Sequence, residues 1–181
     1  AGKGVKANIG HSLEVAGIAG MIKTILAMQH GVVPPAINIR QLNPKIDWEN
    51  SPVYVPSQPV AWPAPAGNKP RRGGVNAFGI GGLNMHVVID EFTESARQLV
   101  RAPQIRASAE NGRKAPAADD AVAIVGMSCI FPGAKNLAGF WDLLVSGRDP
   151  KTHVTPDRWR ADLAHKPGSA EPYRSPTTLG G

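Results

Sequence analysis

The chain has 181 residues, of which 42% are hydrophobic and 19% charged, and its net charge is +6, a balance that is ordinary for a globular protein of one or two small domains. This composition excludes a fibre and a chain that is disordered throughout. The longest apolar stretch, Val15 to Ile22, is far shorter than the roughly 20 residues of a membrane-spanning helix, so we expect no membrane span.

A lysine and a histidine precede the first predicted helix. Lys6 and His11 lie in a short turn, and Ser12 or His11 itself can cap a helix from Leu13 to Met28 that Gly31 ends. The early turns of this helix carry the small residues Ala16, Gly17, Ala19 and Gly20. Because glycine costs a helix about 1 kcal/mol relative to alanine, its glycines indicate close approach by another backbone, deep inside a domain.

Strands are predicted after this helix, so the order of elements is mixed α/β. A pair of prolines ends the helical region, and short extended segments follow at residues 36–39 and 53–62. Two further strands, Gly74 to Phe78 and Met85 to Asp90, flank a glycine-rich hairpin turn.

The lysine, the histidine and the glycine-rich turn together point to chemistry. A histidine handles protons, a cation orients it, and a flexible turn aims backbone N–H groups at a developing negative charge. Taken without the histidine, a glycine cluster that serves only as a tight turn is an equally good interpretation. A dinucleotide-binding loop is excluded, because Asn84 stands where its third glycine belongs.

The positive charge is concentrated in two places. Lys69, Arg71 and Arg72 precede the hairpin, and further basic residues lie in residues 93–120, a segment rich in alanine, proline and charge. That segment has no aromatic residues to stack on bases, so we interpret it as a solvated linker. A basic tail that binds nucleic acid is the weaker alternative, and it predicts salt-sensitive DNA binding.

The last third of the chain begins a second α/β unit. Ala121 to Gly126 is a continuous apolar run typical of a strand that is buried on both faces. A loop leads to a helix from Leu137 to Ser146 that ends at Gly147. The side chains that this helix is expected to bury are Phe140, Trp141, Leu144 and Val145.

The remaining cysteine and histidines give no sign of a second reactive site. Cys129 has no histidine at a plausible local spacing, so we interpret it as a small buried or half-buried thiol. With one cysteine and no basic and apolar leader, a reducing, cytoplasmic setting fits. His86 is expected to satisfy backbone groups, and His30 to lie at the negative end of the first helix. The histidines show no ligand spacing, and we predict no metal site.

Several long motifs resemble the β-ketoacyl synthases of the thiolase fold, in particular the ketosynthase domains of modular, type I polyketide synthases. Val5 to His11, with the helix after it, is similar to the second histidine motif of that family. Arg72 to Asp90 is similar to its C-terminal glycine hairpin, and residues 34–44 resemble the connection between the two. A second match, similar to the beginning of another ketosynthase, covers residues 123–134, 140–144, 147–149 and 157–159.

The resemblance implies how the chain is divided. Residues 1–92 are expected to be the C-terminal part of one ketosynthase domain, residues 93–120 a linker, and residues 121–181 the N-terminal start of a second domain. Both domains are then incomplete pieces of the layered α-β-α, thiolase-like fold. Since the chain opens on Ala1 and closes on two glycines, we expect it to be a fragment of a longer protein.

The resemblance also implies a reaction. Ketosynthases join an acyl group held on a cysteine to a malonyl-type extender on an acyl carrier protein, and carbon dioxide is released. The substrate is carried on the phosphopantetheine of the carrier, so no cofactor is expected on the ketosynthase itself. The implied partners are the acyl carrier protein, the extender thioester and a second copy of the parent in a homodimer, with no nucleic acid and no membrane. The nucleophilic cysteine of the family has no match here, so the fragment alone is expected to be inactive.

Residue roles follow from the same resemblance. His11 matches the histidine that stabilises the enolate, and Lys6 matches the lysine that supports it. Ile80, where many relatives have phenylalanine, matches the position whose backbone N–H completes the oxyanion hole and whose side chain gates the acyl pocket. The other residues of this gate loop are Phe78, Gly79, Gly81 and Gly82, followed by Asn84 as a substrate-binding residue.

One departure and one rival interpretation remain. Leu83 replaces a usual threonine, which puts the contact with the pantetheine arm in doubt. The rival is a non-catalytic partner domain similar to a chain-length factor. The presence of both Lys6 and His11 argues against it for the first unit, whereas the second unit leaves it open.

Overall fold

The computed structural model describes residues 4–67, 69–79, 81–94, 122–168 and 175–180. The predicted gate residue Ile80 and most of the predicted linker, residues 95–120, lie outside the described residues. The described part contains both helices and strands, which confirms the mixed α/β class. Within this part of the chain, no helix combines the length and the apolar character that a membrane crossing requires.

A short helix and a long helix form the first part of the structure. Helix α1 covers Lys6–Ile9, a 3-10 turn covers Leu13–Val15, and helix α2 covers Ala16–His30. The long helix therefore begins later than predicted, because the chain first forms the tighter turn. Of the two predicted caps, Ser12 is wrong, because its buried hydroxyl has no hydrogen-bond partner within the described residues, whereas Nδ1 of His11 accepts the N–H of Leu13. Gly31 ends α2 as predicted, with a left-handed φ of 61°.

Two very short strands follow α2. Strand β1 (Val32–Val33) pairs antiparallel with β2 (Val60–Ala61), and residues 34–59 contain no further strand. The extended segments predicted at residues 36–39 and 53–62 are therefore wrong except at β2. Prolines interrupt the second segment and remove N–H groups that a strand ladder needs, while Asn38 breaks the first with a left-handed φ of 61°.

The predicted glycine hairpin is the longest strand pair among the described residues. Strand β3 covers Arg72–Phe78 and β4 covers Asn84–Asp90, so each is slightly longer than predicted. The register pairs Arg72 with Asp90 and Phe78 with Asn84. The Arg72 guanidinium donates to both oxygens of Asp90, at 2.6 and 2.7 Å, and Arg71 pairs with Glu91. These acids balance part of the basic cluster that precedes the hairpin.

Helix α2 packs its small residues against β3. A Cβ atom added to Gly17 would lie 3.3 Å from the Cβ of Ala77, and one added to Gly20 would lie 3.2 Å from Cγ1 of Val75. The close approach predicted at these glycines is confirmed, although the neighbours are strand side chains rather than another backbone. The two glycines thus let the helix lie directly on the hairpin.

This contact makes Gly20 sensitive to substitution. We expect Gly20→Leu to force α2 away from Val75 and to destabilise the hairpin contact by about 1–3 kcal/mol, since an enlarged side chain in a packed layer strains its neighbours. Faster amide hydrogen exchange in β3 measures the effect. Gly126→Leu is the matched control, because a Cβ there would meet nothing within 4 Å. Equal exchange rates in the two variants would contradict the packing.

The second part of the structure contains the other long helix. Helix α3 covers Leu137–Ser146 as predicted and ends at Gly147, which has a left-handed φ of 66°. Its cap is Asn136, whose Oδ1 accepts the Gly139 N–H at 2.8 Å. The buried side chains of α3 are Phe140, Leu143 and Leu144, whereas Trp141 and Val145, which were predicted to be buried, are half-buried.

The elements around α3 are small. Strand β5 (Thr152–His153) pairs antiparallel with β6 (Leu179–Gly180), and helix α4 covers Ala161–Ala164. The buried strand predicted at residues 121–126 is wrong, because residues 122–126 form no strand and Val125 is 97% exposed. A strand exists only by pairing, and no described strand lies beside this segment.

The two parts of the chain share one core. Helix α3 packs on α1 and α2, so it does not build a separate core from its own part of the chain. At one edge of this contact, the rings of His30 and Trp141 stack, with centroids 4.1 Å apart and an angle of 5° between their planes. The buried members of the core are Val5, Ile9, Ala19, Ile22, Leu26, Ala134, Phe140, Leu143 and Leu144.

Candidate functional site

His11 lies between α1 and the 3-10 turn, and its side chain is exposed. The backbone N–H of Leu13 donates to Nδ1 of His11 at 3.1 Å. A ring nitrogen that accepts a hydrogen bond carries no proton, so this contact selects the neutral tautomer with its proton on Nε2. The Nε2–H then remains available as a donor to an oxygen outside the segment.

The backbone on both sides of His11 is unusual. Gly10 has a φ of 80° and Leu13 a φ of 47°. A positive φ is uncommon for a large side chain and costs free energy, so such residues concentrate where the surrounding structure needs them. Here the strained residue is the one whose N–H binds the imidazole. The strain therefore lies at the position that orients His11.

Lys6 is the first residue of α1 and is also exposed. The prediction that Lys6 lies in a turn is wrong, because Lys6 begins a helix, whereas His11 lies in the turn that follows Gly10. No hydrogen bond joins their side chains within the described part of the chain.

A cluster that sequence analysis did not single out holds this segment in place. Nζ of Lys151 donates to the carbonyl oxygen of Ala7 and to Oδ1 of Asp149, each at 2.6 Å. Nδ2 of Asn38 donates to the same carbonyl at 3.3 Å and to Oδ2 of Asp149 at 2.8 Å. We call Asn38, Asp149 and Lys151 the Asp149 clamp. Because Ala7 adjoins Lys6, the clamp fixes the segment that carries the predicted catalytic residues.

The clamp predicts a pH dependence. The pKa of Asp149 lies below its ordinary value, mainly because the Lys151 ammonium donates to the carboxylate and next because Asn38 does. The clamp binds the charged form of Asp149. Its contribution to the free energy of unfolding is therefore complete above the unfolded-state pKa of about 3.9, and it is lost as the pH falls through the lower pKa of the folded state. We expect the difference in unfolding free energy between wild type and Asp149→Asn to be constant above about pH 5 and to shrink below about pH 4.

Urea unfolding followed by tryptophan fluorescence at each pH measures this difference. Asp142→Asn, on the exposed face of α3, removes the same charge from the same part of the chain and serves as the control. A difference for Asp149→Asn that persists unchanged to about pH 3 would contradict the role of its carboxylate.

The hairpin turn holds most of the predicted gate loop. The N–H of Gly79 donates to the carbonyl oxygen of Leu83 at 2.8 Å and closes the turn, and the N–H of Gly82 donates to the Gly79 carbonyl at 3.3 Å. Gly81 and Gly82 have φ values of 99° and 89°, which favour glycine. Phe78 and Asn84 pair at the ends of the two strands. The described residues of the gate loop therefore lie at a tight, exposed turn.

The packing of α2 on β3 brings the two predicted parts of the site to one end. Gly17 faces Ala77, whereas Thr24, two helical turns later, faces Gly73. Helix and strand therefore run antiparallel, and the beginning of α2 lies at the end of β3. Because His11 precedes α2 and the hairpin turn follows β3, the histidine and the gate loop lie at the same end of this layer.

This end of the layer is rich in exposed apolar side chains. Single exposed apolar residues are normal on protein surfaces, but a group of them marks a surface that binds something. The large side chains exposed here are Leu13 and Val15 from the 3-10 turn, Ile18 from α2, and Phe78, Leu83 and Met85 from the hairpin. The exposed fraction is 76% for Phe78 and 72% for Leu83.

The other residues considered from sequence have structural surroundings. Cys129 is half-buried, as predicted, and burial raises the pKa of its thiol, which disfavours the thiolate. The prediction that His86 satisfies backbone groups is wrong, since its Nδ1 lies 2.5 Å from the side-chain Oδ1 of Asn76. His30 is the last residue of α2, as predicted, and its stacking on Trp141 was not foreseen.

Comparison with protein families places three matches along the chain. The C-terminal domain of β-ketoacyl synthases matches residues 3–40, the C-terminal extension of ketoacyl synthetases matches residues 43–125, and the N-terminal domain of β-ketoacyl synthases matches residues 119–181. The C-terminal domain therefore precedes the N-terminal domain, in the order predicted from the motifs.

Individual relatives agree with these matches. The erythronolide synthase EryA2 of Saccharopolyspora erythraea is 43% identical over 62% of this chain and 4% of its own length. A polypeptide of the polyunsaturated fatty acid synthase of a Thraustochytrium species is 36% identical over 86% of this chain and 7% of its own length. The chain thus spans a small part of the relatives that it matches.

A solved structure also matches, the ketosynthase from module 6 of the bacillaene synthase of Bacillus subtilis 168. It is 42% identical over 49% of this chain and 16% of its own, with a TM-score of 0.46. Family matches to both ends of a ketosynthase, in the predicted order, show that the protein belongs to the β-ketoacyl synthase family and to its thiolase-like α/β class.

Proposed function

We propose that the chain is part of a polyketide-type synthase that lengthens an acyl chain by decarboxylative Claisen condensation, and that His11 stabilises the enolate formed in this reaction. The observation that carries the proposal is the hydrogen bond from the Leu13 N–H to Nδ1 of His11. It leaves Nε2–H as a neutral donor, and a neutral donor suits an oxygen on which negative charge grows as carbon dioxide leaves.

The proposed reaction has two bond-making stages. A cysteine thiolate first attacks the carbonyl carbon of a donor acyl thioester, the donor C–S bond breaks, and the donor thiolate leaves. The C–C bond to the extender carboxylate then breaks, carbon dioxide leaves, and its bonding electrons form an enolate whose oxygen accepts the hydrogen bond of His11. The enolate carbon attacks the acyl thioester, and the cysteine thiolate departs. Cys129 is an unsuitable nucleophile because its burial favours the neutral thiol, so the proposal assigns the acyl cysteine to another part of the parent.

The remaining site residues have supporting roles in this proposal. Lys6 supplies positive charge near the histidine, which favours an anionic intermediate. The backbone N–H of Ile80 is the proposed oxyanion donor, and its side chain is the proposed acyl gate. The glycines on both sides of Ile80 give the loop the conformational freedom to approach the substrate closely, and Asn84 is a proposed substrate contact.

The proposal extends to the organisation of the parent. Residues 1–92 are proposed to close one ketosynthase domain, residues 93–120 to be a linker, and residues 121–181 to open the next. The acyl carrier protein, with its extender thioester on phosphopantetheine, is the proposed substrate carrier, and the parent is proposed to be a cytoplasmic homodimer. The exposed apolar end beside His11 would then be covered by the rest of the first domain.

Carbon dioxide release by the full-length protein tests the proposed function. The protein is incubated with a carrier-bound malonyl thioester labelled in its free carboxyl group, with and without an acyl donor. Labelled carbon dioxide and a carrier-bound product two carbons longer than the donor acyl group are the expected results. Carrier-dependent carbon dioxide without chain extension would overturn the proposed condensation, and no release at all would favour the non-catalytic partner role and overturn the proposal.

A further inference from the structure

We propose that residues 11–15 form a two-state switch in which His11 and Ser12 compete as caps ahead of α2. In the histidine-bound state, which the structure shows, the Leu13 N–H binds Nδ1 of His11. In the serine-capped state, the Ser12 hydroxyl caps a longer α2 and the imidazole is released. The switch itself does not depend on the condensation reaction, whereas its consequence for catalysis rests on the proposed function.

Two features show that the histidine-bound state is locally unfavourable. The φ of Leu13 is 47°, in the left-handed region, where a leucine side chain is strained. The Ser12 hydroxyl is buried, and it has no hydrogen-bond partner among the residues that the structure describes, which also costs free energy. Both costs fall on neighbouring residues. Such a conflict with local preference is expected at a functional site.

The local sequence favours the serine-capped state instead. Serine is among the best N-cap residues, and the positive end of a helix stabilises an acid in the first turn, where Glu14 lies. In the structure, however, Ser12 has a φ of −80° and a ψ of 27° rather than the extended backbone of an N-cap, and its hydroxyl makes no capping bond. The first turn is therefore the 3-10 helix Leu13–Val15 and not the beginning of α2.

The rotation of one peptide group connects the two states. An N-cap conformation requires ψ of Ser12 to rise from 27° to about 100–180°, and a helix requires φ of Leu13 to fall from 47° to about −60°. These changes have opposite signs and similar sizes. Because the two bonds are nearly parallel across a planar trans peptide, the changes turn that peptide group and leave the chain on either side almost in place.

The same rotation exchanges the partners of two N–H groups. The Val15 N–H donates to the Ser12 carbonyl oxygen at 3.0 Å in the structure, and it would donate to the Ser12 hydroxyl after the rotation. The Leu13 N–H leaves Nδ1 of His11 and becomes the first N–H of the helix, which has no partner within the helix. The serine-capped state therefore satisfies the buried hydroxyl at the expense of the contact with the imidazole.

The switch changes what His11 can do. In the serine-capped state, the contact that selects the Nε2–H tautomer is lost. An oxygen that accepts a hydrogen bond from Nε2–H therefore binds the histidine-bound state more strongly. Because a ligand shifts an equilibrium toward the state that it binds better, the extender should hold the switch in this state. Ser12 and Leu13 are thus positioning residues that act through His11.

Substitutions of Leu13 set the switch in opposite directions. Leu13→Gly keeps the N–H and removes the strain of the positive φ, so it favours the histidine-bound state. Leu13→Pro removes the N–H, fixes φ at about −65° and drives Ser12 to an extended backbone, so it imposes the serine-capped state. Proline is favoured as the first residue of a helix, and the Leu13 side chain is 66% exposed, so this variant should fold. Leu13→Ala is the matched control, because it shortens the side chain but keeps the strained Cβ.

Amide hydrogen exchange in the full chain measures the two states. The N–H of residue 13 has no helical partner in the serine-capped state, so its exchange, corrected for the intrinsic rate of each residue, follows the population of that state. We expect this exchange to slow about five- to thirtyfold in Leu13→Gly and to stay within about twofold of wild type in Leu13→Ala. Equal exchange in the glycine and alanine variants would overturn the switch.

A second measurement tests the role of the Ser12 hydroxyl. Ser12→Ala should accelerate exchange of the Val15 N–H about fivefold in the Leu13→Pro chain, where the hydroxyl caps this group, and should change it within about twofold in the wild-type chain, where the backbone carbonyl binds it. Equal effects in the two chains would overturn the switch. The ¹⁵N shifts of the His11 ring, recorded at about pH 8.5 where an ordinary imidazole is neutral, should show the Nδ1 hydrogen bond in wild type and its loss in Leu13→Pro.

Decarboxylation by the full-length protein separates the switch from the proposed function. We expect Leu13→Pro to lower labelled carbon dioxide release about tenfold or more, because the donor is no longer held in one orientation. If Leu13→Pro shows the expected exchange and ring shifts but releases carbon dioxide at the wild-type rate, the switch is confirmed and the role proposed for His11 is overturned. If release falls without those changes in exchange and ring shifts, the switch is overturned.

Discussion

Replacing His11 with alanine should lower extender decarboxylation by the full-length protein about 100-fold or more, while acylation of its cysteine continues. The side chain that is lost is the one whose Nδ1 the Leu13 N–H binds, so the variant removes the oriented Nε2–H donor and leaves the backbone that positions it. Acylation needs a thiolate and an acyl donor but no enolate. Mass spectrometry of the acylated protein and release of labelled carbon dioxide separate the two steps.

Two conservative variants separate hydrogen-bond donation from the filling of space. His11→Gln places an amide N–H near the position of Nε2, whereas His11→Asn places an amide oxygen near the position of Nδ1 and no donor at Nε2. Decarboxylation should therefore be higher in the glutamine variant than in the asparagine variant. His86→Ala is the control, since His86 contacts Asn76 on the hairpin. Equal rates for wild type and His11→Ala would remove His11 from the mechanism.

Elements that depend on local chemistry could be predicted from the sequence. Helix α3 has the predicted bounds because a capping asparagine stands before it and a glycine after it, and both act within a few residues. The hairpin was predicted for the same reason, since its strands pair across a turn of glycines. Gly17 and Gly20 indicated a close contact correctly because a glycine in a helix has a local cost that only packing offsets.

Elements that depend on distant partners could not be predicted in the same way. The apolar run at residues 121–126 has the composition of a buried strand, but no described strand pairs with it. The hydrophobicity of this segment shows that it could be buried, but it does not show whether a partner strand is present. Trp141 is half-buried for a related reason, because the surface that α3 meets belongs to α1 and α2 and covers one side of the helix.

The residues of the candidate site also form two groups, those that a local motif predicts and those that depend on partners distant in sequence. Lys6, His11 and the gate-loop glycines lie in continuous motifs, so the sequence alone could predict them as site residues, and this remains a prediction. The Asp149 clamp joins residues 7, 38, 149 and 151, whose spacing in sequence exceeds any local pattern. The tautomer of His11 likewise depends on the backbone conformation of Leu13, a residue whose large side chain predicts a negative φ.

The core contact of α3 provides the second large expected effect. We expect Phe140→Ala to lower the free energy of unfolding by about 3–5 kcal/mol, because the ring is 0% exposed and its removal leaves a cavity as well as lost transfer energy. The ring also packs at a tilt on Phe131, with centroids 4.7 Å apart, so the neighbouring side chains lose contacts too. Urea unfolding followed by tryptophan fluorescence measures the change.

The same variant tests whether the two parts of the chain are coupled through the core. If α3 holds the segment of Lys6 and His11 through the Asp149 clamp, then Phe140→Ala should speed amide hydrogen exchange in α1 as well as in α3, since both lose the shared core. Ile130→Ala, at a side chain that is 83% exposed, is the matched control and should change the unfolding free energy by about 0.5 kcal/mol or less. Loss of protection confined to α3, with α1 unchanged, would show that the upstream segment keeps its conformation without the helix and would contradict the coupling.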